Sequence, residues 1–243
     1  MDNIENFYKE YLSWDKSITD ILGKSHSTPD RMILDRTPKL EFLKDGKIDI
    51  EKLYREESEV RSDEEPYNEY YQCILQTFQN DKINTFCDVG CSTGHLVSNM
   101  LSYCDSCGIE YFNYQKDNAN EQVKECINIL DIRDPIDMDI KFDLVNCTEV
   151  AEHVDPKCIH TFLDNIKKIT GKYLILTWSS TYPPNVEGPP QHVTPLEFDE
   201  VCLLMENWGF TLDKEMTDRF LNKSKQCYNF YYWWRESLSI WRV

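Results

Sequence analysis

Residues 86–100 read FCDVGCSTGHLVSNM, and this stretch decides the fold. An apolar run ends in Asp88, breaks into a turn between Gly90 and Gly94, and gives way to an amphipathic pattern. A strand that ends in a glycine-rich turn and opens a helix presents free backbone N–H groups, an arrangement that nucleotide-binding sites use. The stretch therefore predicts a nucleotide-type ligand at a strand-to-helix turn.

Two common nucleotide sites do not fit this turn. It lacks the G-K-[ST] triplet, so no P-loop lysine would face a triphosphate. Only two glycines are present, with Ser92 between them, so the spacing is not the G-x-G-x-x-G of a dehydrogenase.

The acids beside the turn indicate a different ligand. Asp88 at the end of the strand would repel a pyrophosphate but would favour a cationic group. Glu110 falls at the end of the next predicted strand, where a carboxylate accepts hydrogen bonds from ribose hydroxyls. A ribose joined to a positively charged group predicts S-adenosylmethionine as the ligand.

Short apolar runs alternate with helical patterns on both sides of the turn. This alternation predicts βαβ units around a mostly parallel sheet. The predicted strands are INTFCDV (83–89), CGIEYF (107–112), ECINILDI (125–132), FDLVNC (142–147) and YLILTWS (173–179). The last third predicts a strand in GFTLDKEM (209–216), then a loop, then an aromatic-rich strand in CYNFYYWWRESLSIWRV (227–243).

The first 82 residues are more polar and form a predicted helical N-terminal extension to the domain of residues 83–243. Helical apolar spacing is found at Ile4, Phe7, Tyr8 and Tyr11 and again at Tyr67, Tyr70, Tyr71, Ile74 and Phe78. The charged stretch between them, residues 55–70, is interpreted as a solvated face and loop, or as a lid whose aromatic residues close over a ligand.

Composition narrows the possible partners. The formal net charge of −17 would repel a phosphate backbone, which argues against nucleic acid as a partner. Ten scattered cysteines and a polar N-terminus are typical of a reduced cytoplasmic protein rather than a disulfide framework. The apolar runs are all too short to span a bilayer, so we expect a soluble protein that does not bind membranes.

From about residue 83 to the C-terminus the chain resembles the class I S-adenosylmethionine-dependent methyltransferases. The matching motifs are FCDVGCSTGHL, CGIEY, NILDI, FDLVNCTEVAEHV and KYLILTWSS. The resemblance implies a Rossmann-like α/β fold, with a mostly parallel seven-stranded sheet, a reversed final strand and helices on both faces. It also implies S-adenosylmethionine as the methyl donor, bound at the carboxyl ends of the strands and released as S-adenosylhomocysteine.

The resemblance assigns donor-binding roles by position. The residues so assigned are Asp88, Gly90, Cys91 and Gly94 for the methionine portion and its turn, Glu110 and Tyr111 for the ribose side, Asp131 and Ile132 for the adenine, and Cys147 beside the sulfonium. Ser92 departs from the family pattern, because many members have glycine there. Asp131 equally fits the start of a turn before Arg133, and Cys147 fits a small buried core residue.

The segment CTEVAEHVDP (147–156) resembles ubiquinone-biosynthesis O-methyltransferases, in which a Glu-x-x-Glu-His group can hold a divalent ion. Glu149, Glu152 and His153 would be the ligands here. The alternative, which we favour, is that His153 bonds to a carbonyl and the glutamates are solvated at a helix start. The expectation is therefore no metal.

A long loop, residues 178–198, follows the fifth predicted strand and precedes a helix predicted to start near Thr194. A hydroxyl acceptor must lose a proton, and an imidazole suits that task. We predict His192 as the base and His153 as an orienting residue.

The loop of residues 178–198 and the C-terminal segment resemble methyltransferases encoded beside sugar and surface-glycan assembly genes in bacteria and large viruses. That resemblance implies O-methylation of a sugar, a nucleotide-linked precursor or a phosphate-type group of a capsule. The alternatives are N-methylation of a small amine and a non-catalytic module that binds S-adenosylmethionine.

Overall fold

The computed structural model describes residues 14–23, 43–44, 47–48, 65–180, 192, 194–228, 230 and 232–243. Three of the patterns used for prediction fall wholly or partly outside these residues. They are the apolar spacing at residues 4–11, most of the charged stretch of residues 55–70, and residues 181–191 of the long loop.

A seven-stranded sheet forms the centre of the molecule, in the order β5-β4-β3-β6-β7-β9-β8. The first five strands pair in parallel, while β9 lies antiparallel between β7 and β8. The strands are β3 (Thr85–Val89), β4 (Asp105–Glu110), β5 (Ile127–Ile129), β6 (Phe142–Cys147), β7 (Thr170–Leu176), β8 (Thr211–Leu212) and β9 (Ser239–Arg242). Two short strands, β1 (Leu43–Lys44) and β2 (Lys47–Ile48), form a separate antiparallel pair. The predicted parallel sheet and its reversed final strand are confirmed.

Helices cover both faces of the sheet. They are α1 (Lys16–Leu22), α2 (Glu65–Thr77), α3 (His95–Met100), α4 (Asn113–Asp117), α5 (Glu121–Lys124), α6 (Ile159–Ile169), α7 (Phe198–Asn207), α8 (Lys214–Ser224) and α9 (Tyr232–Ser237). Within the described ranges, no helix combines the length and the apolar character that a membrane crossing requires.

Alternation along the strands decides which residues each face buries. In β3, Cys87 and Val89 point into a core formed with α1, α6 and α7, whereas Phe86 points into a second core formed with α2, α3, α8 and α9. Asp88 has the parity of Phe86, so it faces α2. Asn146 is its register partner on β6 and faces the same way. The fold thus brings two polar side chains together under α2.

The described part of the N-terminal extension packs into these cores. Ile18 of α1 is fully buried in the first core, and Tyr70 and Ile74 of α2 are buried in the second. The helical spacing from Tyr67 to Phe78 is confirmed by α2. A lid function for this region stays a prediction.

Three predictions near the C-terminus were wrong. The expected loop after β8 contains α8, because the Asp213 side chain accepts a hydrogen bond from the Met216 N–H at its start and Met216 and Phe220 bury one face. Residues 232–237 of the expected last strand form α9, and only Ser239–Arg242 pair with the sheet. The helix expected near Thr194 begins at Phe198, where Glu197 and Glu200 form a capping box.

Candidate active site

The turn between β3 and α3 depends on three residues with positive φ. Gly90, Ser92 and Gly94 have φ values of 75°, 51° and 80°. Ser92 therefore adopts the left-handed conformation that favours glycine, and its side chain donates a hydrogen bond to Gln115 Oε1 at 3.2 Å. Serine at position 92, where many family members have glycine, therefore still allows this turn conformation.

Gly90 also lies against the segment that follows β6. A Cβ atom at Gly90 would lie 2.3 Å from Val150 Cγ2, a distance that no real contact tolerates. The turn after β3 and the segment after β6 therefore pack together through a glycine.

Replacing Gly90 by alanine should lower the free energy of unfolding by about 1–2 kcal/mol more than Gly209→Ala does. Gly209 is the matched control because its φ is 74° but its added Cβ would only touch Lys167 Nζ at 3.5 Å. Urea denaturation of both variants measures the difference. Adding Val150→Ala should recover stability in the Gly90→Ala background, and equal destabilisation of the two glycine variants would contradict the packing argument.

Asp88 lies at the carboxyl end of β3 and is 5% exposed. Burial raises its pKa to about 7, Glu110 adds to the rise, and a hydrogen bond from Asn146 Nδ2 to Oδ1 at 2.7 Å opposes it. That bond is the one that the carboxylate accepts among the described residues, so its second oxygen remains available to a ligand. The side chain suits a cationic ligand that would displace its proton.

Glu110 lies at the carboxyl end of β4 and is 6% exposed. Its Oε1 accepts hydrogen bonds from the backbone N–H groups of Tyr111 at 2.8 Å and Phe112 at 3.0 Å, and its Oε2 accepts one from Ser92 N–H at 2.8 Å. Burial raises its pKa while these three N–H groups oppose the rise. The carboxylate therefore braces the turn at Ser92 and keeps capacity for a further donor such as a ribose hydroxyl.

Asp131, the predicted adenine-side acid, is paired with Arg133, and its contact with adenine stays a prediction. Asp131 forms a two-pronged ion pair with Arg133, whose Nη2 lies 2.8 Å from Oδ2, and accepts the Arg133 N–H at 2.9 Å. Burial acts to raise the pKa of Asp131, but Arg133 holds it below its usual value. Arg133 also pairs with Asp155 at 2.9 Å and lies over the exposed Tyr111 ring at 5.0 Å. This geometry corresponds to the turn interpretation of Asp131, and buried Ile132 offers an apolar surface beside it.

The cysteines near the site are packing residues. Cys147 is fully buried, and burial followed by Glu152 and Asp88 raises its pKa well above the usual value. Cys91 fills the space over Gly108, where an added Cβ would lie 2.3 Å from its Sγ. Both thiols stay protonated, so they form walls and are not nucleophiles.

Across from the turn, Glu149 follows β6 with a φ of 58°. Its N–H donates to Thr177 Oγ1 at 2.7 Å, and the Thr177 hydroxyl donates back to Glu149 Oε1 at 3.0 Å. Thr177 follows β7 and is fully buried. The two strand ends thus hold the Glu149 backbone in a left-handed conformation, a type of strain that concentrates at functional sites.

Glu152, His153 and His192 come together beside Glu149. Each offers one ligand atom within 4.8 Å of the others, and the two imidazole rings meet edge to face with centroids 4.8 Å apart. Glu152 is fully buried, and neither of its carboxyl oxygens makes a well-aligned hydrogen bond. Burial and then Glu149 raise its pKa well above the usual value, and the nearby N–H groups of Glu152 and Ser179 only partly oppose them. Burial and Glu149 thus both favour the protonated form of Glu152, which is buried and not the solvated glutamate expected from the sequence.

A buried threonine brings the two histidines together. The Thr194 hydroxyl lies 2.9 Å from the Ala151 carbonyl and 3.0 Å from that of Val154, and its N–H donates to the Glu152 carbonyl at 3.0 Å. The Trp178 indole N–H donates to the Thr194 carbonyl at 2.6 Å. These bonds attach the segment that carries His192 to the turn that carries His153.

The structure gathers most of the predicted site residues at the carboxyl edge of the sheet and adds others that were not predicted. The additions are Tyr70, Asn146, Thr177 and Thr194. Asn146 and Thr177 could have been found from the sequence, because each is a polar residue at the end of an apolar run.

Comparison with known proteins agrees with this geometry. Residues 87–173 match the family model described as a methyltransferase domain. No match was found among curated proteins. An S-adenosylmethionine-dependent methyltransferase from Clostridium acetobutylicum ATCC 824 has a similar structure, with a TM-score of 0.54 and 10% identity over 80% of this chain and 98% of that one.

A second similar structure is CalS10 with bound S-adenosylmethionine, an amino pentose methyltransferase from Micromonospora echinaspora involved in calicheamicin biosynthesis. It has a TM-score of 0.52 and 13% identity over 79% of this chain and 95% of that one. These structures share the fold, and the family model covers the turn, both acids and the segment after β6. The chain therefore contains a segment that matches a methyltransferase domain and has the fold of these S-adenosylmethionine-dependent methyltransferases.

Proposed function

We propose that this methyltransferase transfers the methyl group to an oxygen of a small polar acceptor. The acceptor would be a sugar, a nucleotide-linked precursor or a phosphate-type group used in surface-glycan (capsule) biosynthesis. The observation that carries the proposal is the pair His153 and His192, held edge to face, with His153 on the segment after β6 that packs against Gly90 through Val150. An imidazole pair at that position suits removal of a hydroxyl proton.

The donor-side residues fit S-adenosylmethionine. Asp88 offers one carboxylate oxygen to the cationic methionine portion, Glu110 has acceptor capacity for the ribose, and Gly90 and Gly94 keep the turn close. When bound, the donor supplies a methyl group already activated by the sulfonium. The protein's task is then to orient the acceptor and accept its proton.

The topology of the sheet brings Asp88 close to the segment that carries His153. Asp88 ends β3, and the segment of Glu149 to His153 follows β6, which pairs in parallel with β3. The carboxyl ends of parallel strands meet at one edge, where open α/β sheets bind ligands. Methyl donor and acceptor would therefore meet between these strand ends, with His192 over them.

Methyl transfer can be measured directly. The purified protein is incubated with S-adenosylmethionine labelled in its methyl group and with sugars, sugar nucleotides, phosphorylated sugars and amino sugars. We expect label on a hydroxyl or phosphate oxygen, located by mass spectrometry. Label on amines alone would establish N-methylation instead, and donor binding without transfer to any acceptor would favour a binding module.

Metal-assisted transfer is a second candidate mechanism, favoured by one observation. Glu152, His153 and His192 offer one carboxylate and two imidazoles, a set that suits a divalent transition metal. A metal would have to displace the proton that burial and Glu149 favour on Glu152. We propose the mechanism with His192 as the base, and chelation tests it against the metal mechanism.

Chelation separates the two mechanisms. We expect EDTA to leave the rate of methyl transfer unchanged, because the proposed mechanism needs no divalent ion. Activity is measured after dialysis against EDTA and again after addition of Zn²⁺, Mn²⁺ or Mg²⁺. A loss that one of these ions reverses, and that Glu152→Gln reproduces, would show that the metal mechanism is correct.

A further inference from the structure

The donor-side carboxylate is connected to the N-terminal helix through a buried chain of hydrogen bonds. The Tyr70 hydroxyl on α2 donates to Asn146 Oδ1 at 2.7 Å, and Asn146 Nδ2 donates to Asp88 Oδ1 at 2.7 Å. Tyr70 and Asn146 are at most 1% exposed. A polar chain of this kind inside an apolar core is costly unless all its members are paired, so its pairing has consequences for Asp88.

The Asn146 amide is oriented between Asp88, to which it donates, and Tyr70, from which it accepts. The amide nitrogen uses both hydrogens, one toward Asp88 and one toward Thr148 Oγ1 at 3.1 Å. A flipped amide would place its oxygen against the Asp88 carboxylate and leave the Tyr70 hydroxyl facing N–H groups. Burial raises the pKa of Tyr70 well above its usual value, so the hydroxyl always carries its proton. A protonated hydroxyl can donate or accept, so the ionised Asp88 carboxylate, which only accepts, selects the amide orientation, and Tyr70 donates to the Oδ1 that this orientation turns toward it.

We propose that Tyr70 and Asn146 are positioning residues for donor binding, which hold Asp88 in place and favour its ionised form. The inference rests on the proposed role of Asp88 toward the cationic donor. Through it, α2 contributes to the donor site without touching the donor. Tyr70 itself is held by the rings of Phe220, Phe230 and Trp234, with centroids 5.1–5.7 Å from its own.

The groups that face Asp88 show why this hydrogen bond matters. The ionisable groups that interact electrostatically with Asp88 are Tyr70 from α2, Glu110 and Cys107 from β4, Cys87 from β3 itself, Cys91 from the turn and Cys147 from β6. All of these groups are neutral or negative, and none of them is a cation that could stabilise the carboxylate. The Asn146 amide is the group that opposes the effect of burial on Asp88.

The direction of the expected pH effect follows because protons and the donor compete for Asp88. The donor binds ionised Asp88, so affinity should fall as pH drops through the pKa of about 7 in the free protein. Removing the Asn146 hydrogen bond raises that pKa further. The midpoint of the affinity-against-pH curve should therefore move toward higher pH, by about one pH unit for the loss of one charge-assisted hydrogen bond.

Titration calorimetry with S-adenosylmethionine from pH 5.5 to 8.5 tests the inference on the full chain. Asn146→Leu should move the midpoint upward, and Tyr70→Phe, which keeps the ring packing, should move it in the same direction by less. Tyr71→Phe is the matched control, because Tyr71 lies on the same helix but pairs with Ser102 at 3.1 Å. It should leave the midpoint unchanged.

The outcomes separate this inference from the donor assignment. A purely structural role would weaken binding equally at every pH, and an unmoved midpoint in both Asn146→Leu and Tyr70→Phe would overturn the inference. Asp88→Asn is the third arm and should flatten the pH dependence. If Asp88→Asn binds the donor like the natural protein at all pH values, the role proposed for Asp88 is wrong and the inference fails with it.

Discussion

Replacing Glu110 by alanine should weaken the binding of S-adenosylmethionine by about a hundredfold or more, because charge-assisted hydrogen bonds of roughly 1.5–3 kcal/mol each are lost. The carboxylate has two tasks in this account. It accepts three backbone N–H groups that shape the turn at Ser92, and we propose that it also accepts the ribose hydroxyls. Calorimetry on the folded variant measures the loss, and unchanged affinity would reject the ribose assignment.

Asp143→Ala is a matched control that separates the loss of a carboxylate bonded to the backbone from the loss of the ribose contact. Asp143 also accepts a backbone N–H, from Asn84 at 2.7 Å, but it lies near the start of β6, away from the carboxyl edge of the sheet. Asp143→Ala should therefore leave donor affinity nearly unchanged.

The two tasks of Glu110 can be separated with a donor analogue that lacks a ribose hydroxyl. The natural protein should bind the deoxy analogue more weakly than S-adenosylmethionine, whereas Glu110→Ala should bind the two alike. An analogue penalty that persists in Glu110→Ala would mean that Glu110 only braces the turn.

The sheet was largely predictable from the sequence. The five parallel strands were predicted from apolar runs bounded by polar residues. Such a run, or an alternation of apolar and polar residues with a period of two, indicates a strand from the local sequence alone. The turn was equally predictable from the sequence, because Gly90 and Gly94 adopt left-handed backbone conformations that few other residue types adopt. Ser92 shows the limit of this reasoning, since its φ of 51° could not be read from its residue type.

The pairings within the site were not predictable, because they depend on contacts between distant segments. A turn at Asp131 was one interpretation of the sequence, but nothing local indicates that Arg133 will also reach Asp155, 22 positions away. Likewise, Tyr70 is 76 positions from Asn146, and only the packing of α2 on the sheet brings them together. The missed helix α8 is a different case, because the capping residue Asp213 was visible in the sequence.

The position of His192 shows how tertiary contacts override a local pattern. Thr194 followed by proline suggested a helix start, but the Thr194 hydroxyl reaches the carbonyls of Ala151 and Val154. Those bonds attach Thr194 to the turn after β6, and the helix begins only at Phe198. The same contact that made the helix prediction wrong brings His192 to His153.

Replacing His192 by alanine should lower turnover by roughly a hundredfold or more while leaving donor affinity nearly unchanged, because a general base acts in the transition state. His160→Ala is the matched control, since His160 lies on α6, pairs with Asp164 at 3.2 Å and packs against Trp208. That variant should turn over at the natural rate. His153→Ala should have a smaller effect than His192→Ala, because His153 is proposed only to orient its neighbour.

Added imidazole distinguishes a lost base from a lost contact, since a free imidazole can occupy the space left by His192→Ala and accept the proton. We expect it to restore part of the turnover of that variant and to have no effect on His160→Ala. If the acceptor oxygen is already ionised, as in a phosphate-type group, no base is required and His192→Ala should chiefly raise the acceptor KM. Near-natural turnover and KM together would remove His192 from the site, because a residue beside the reacting oxygen must change one of the two.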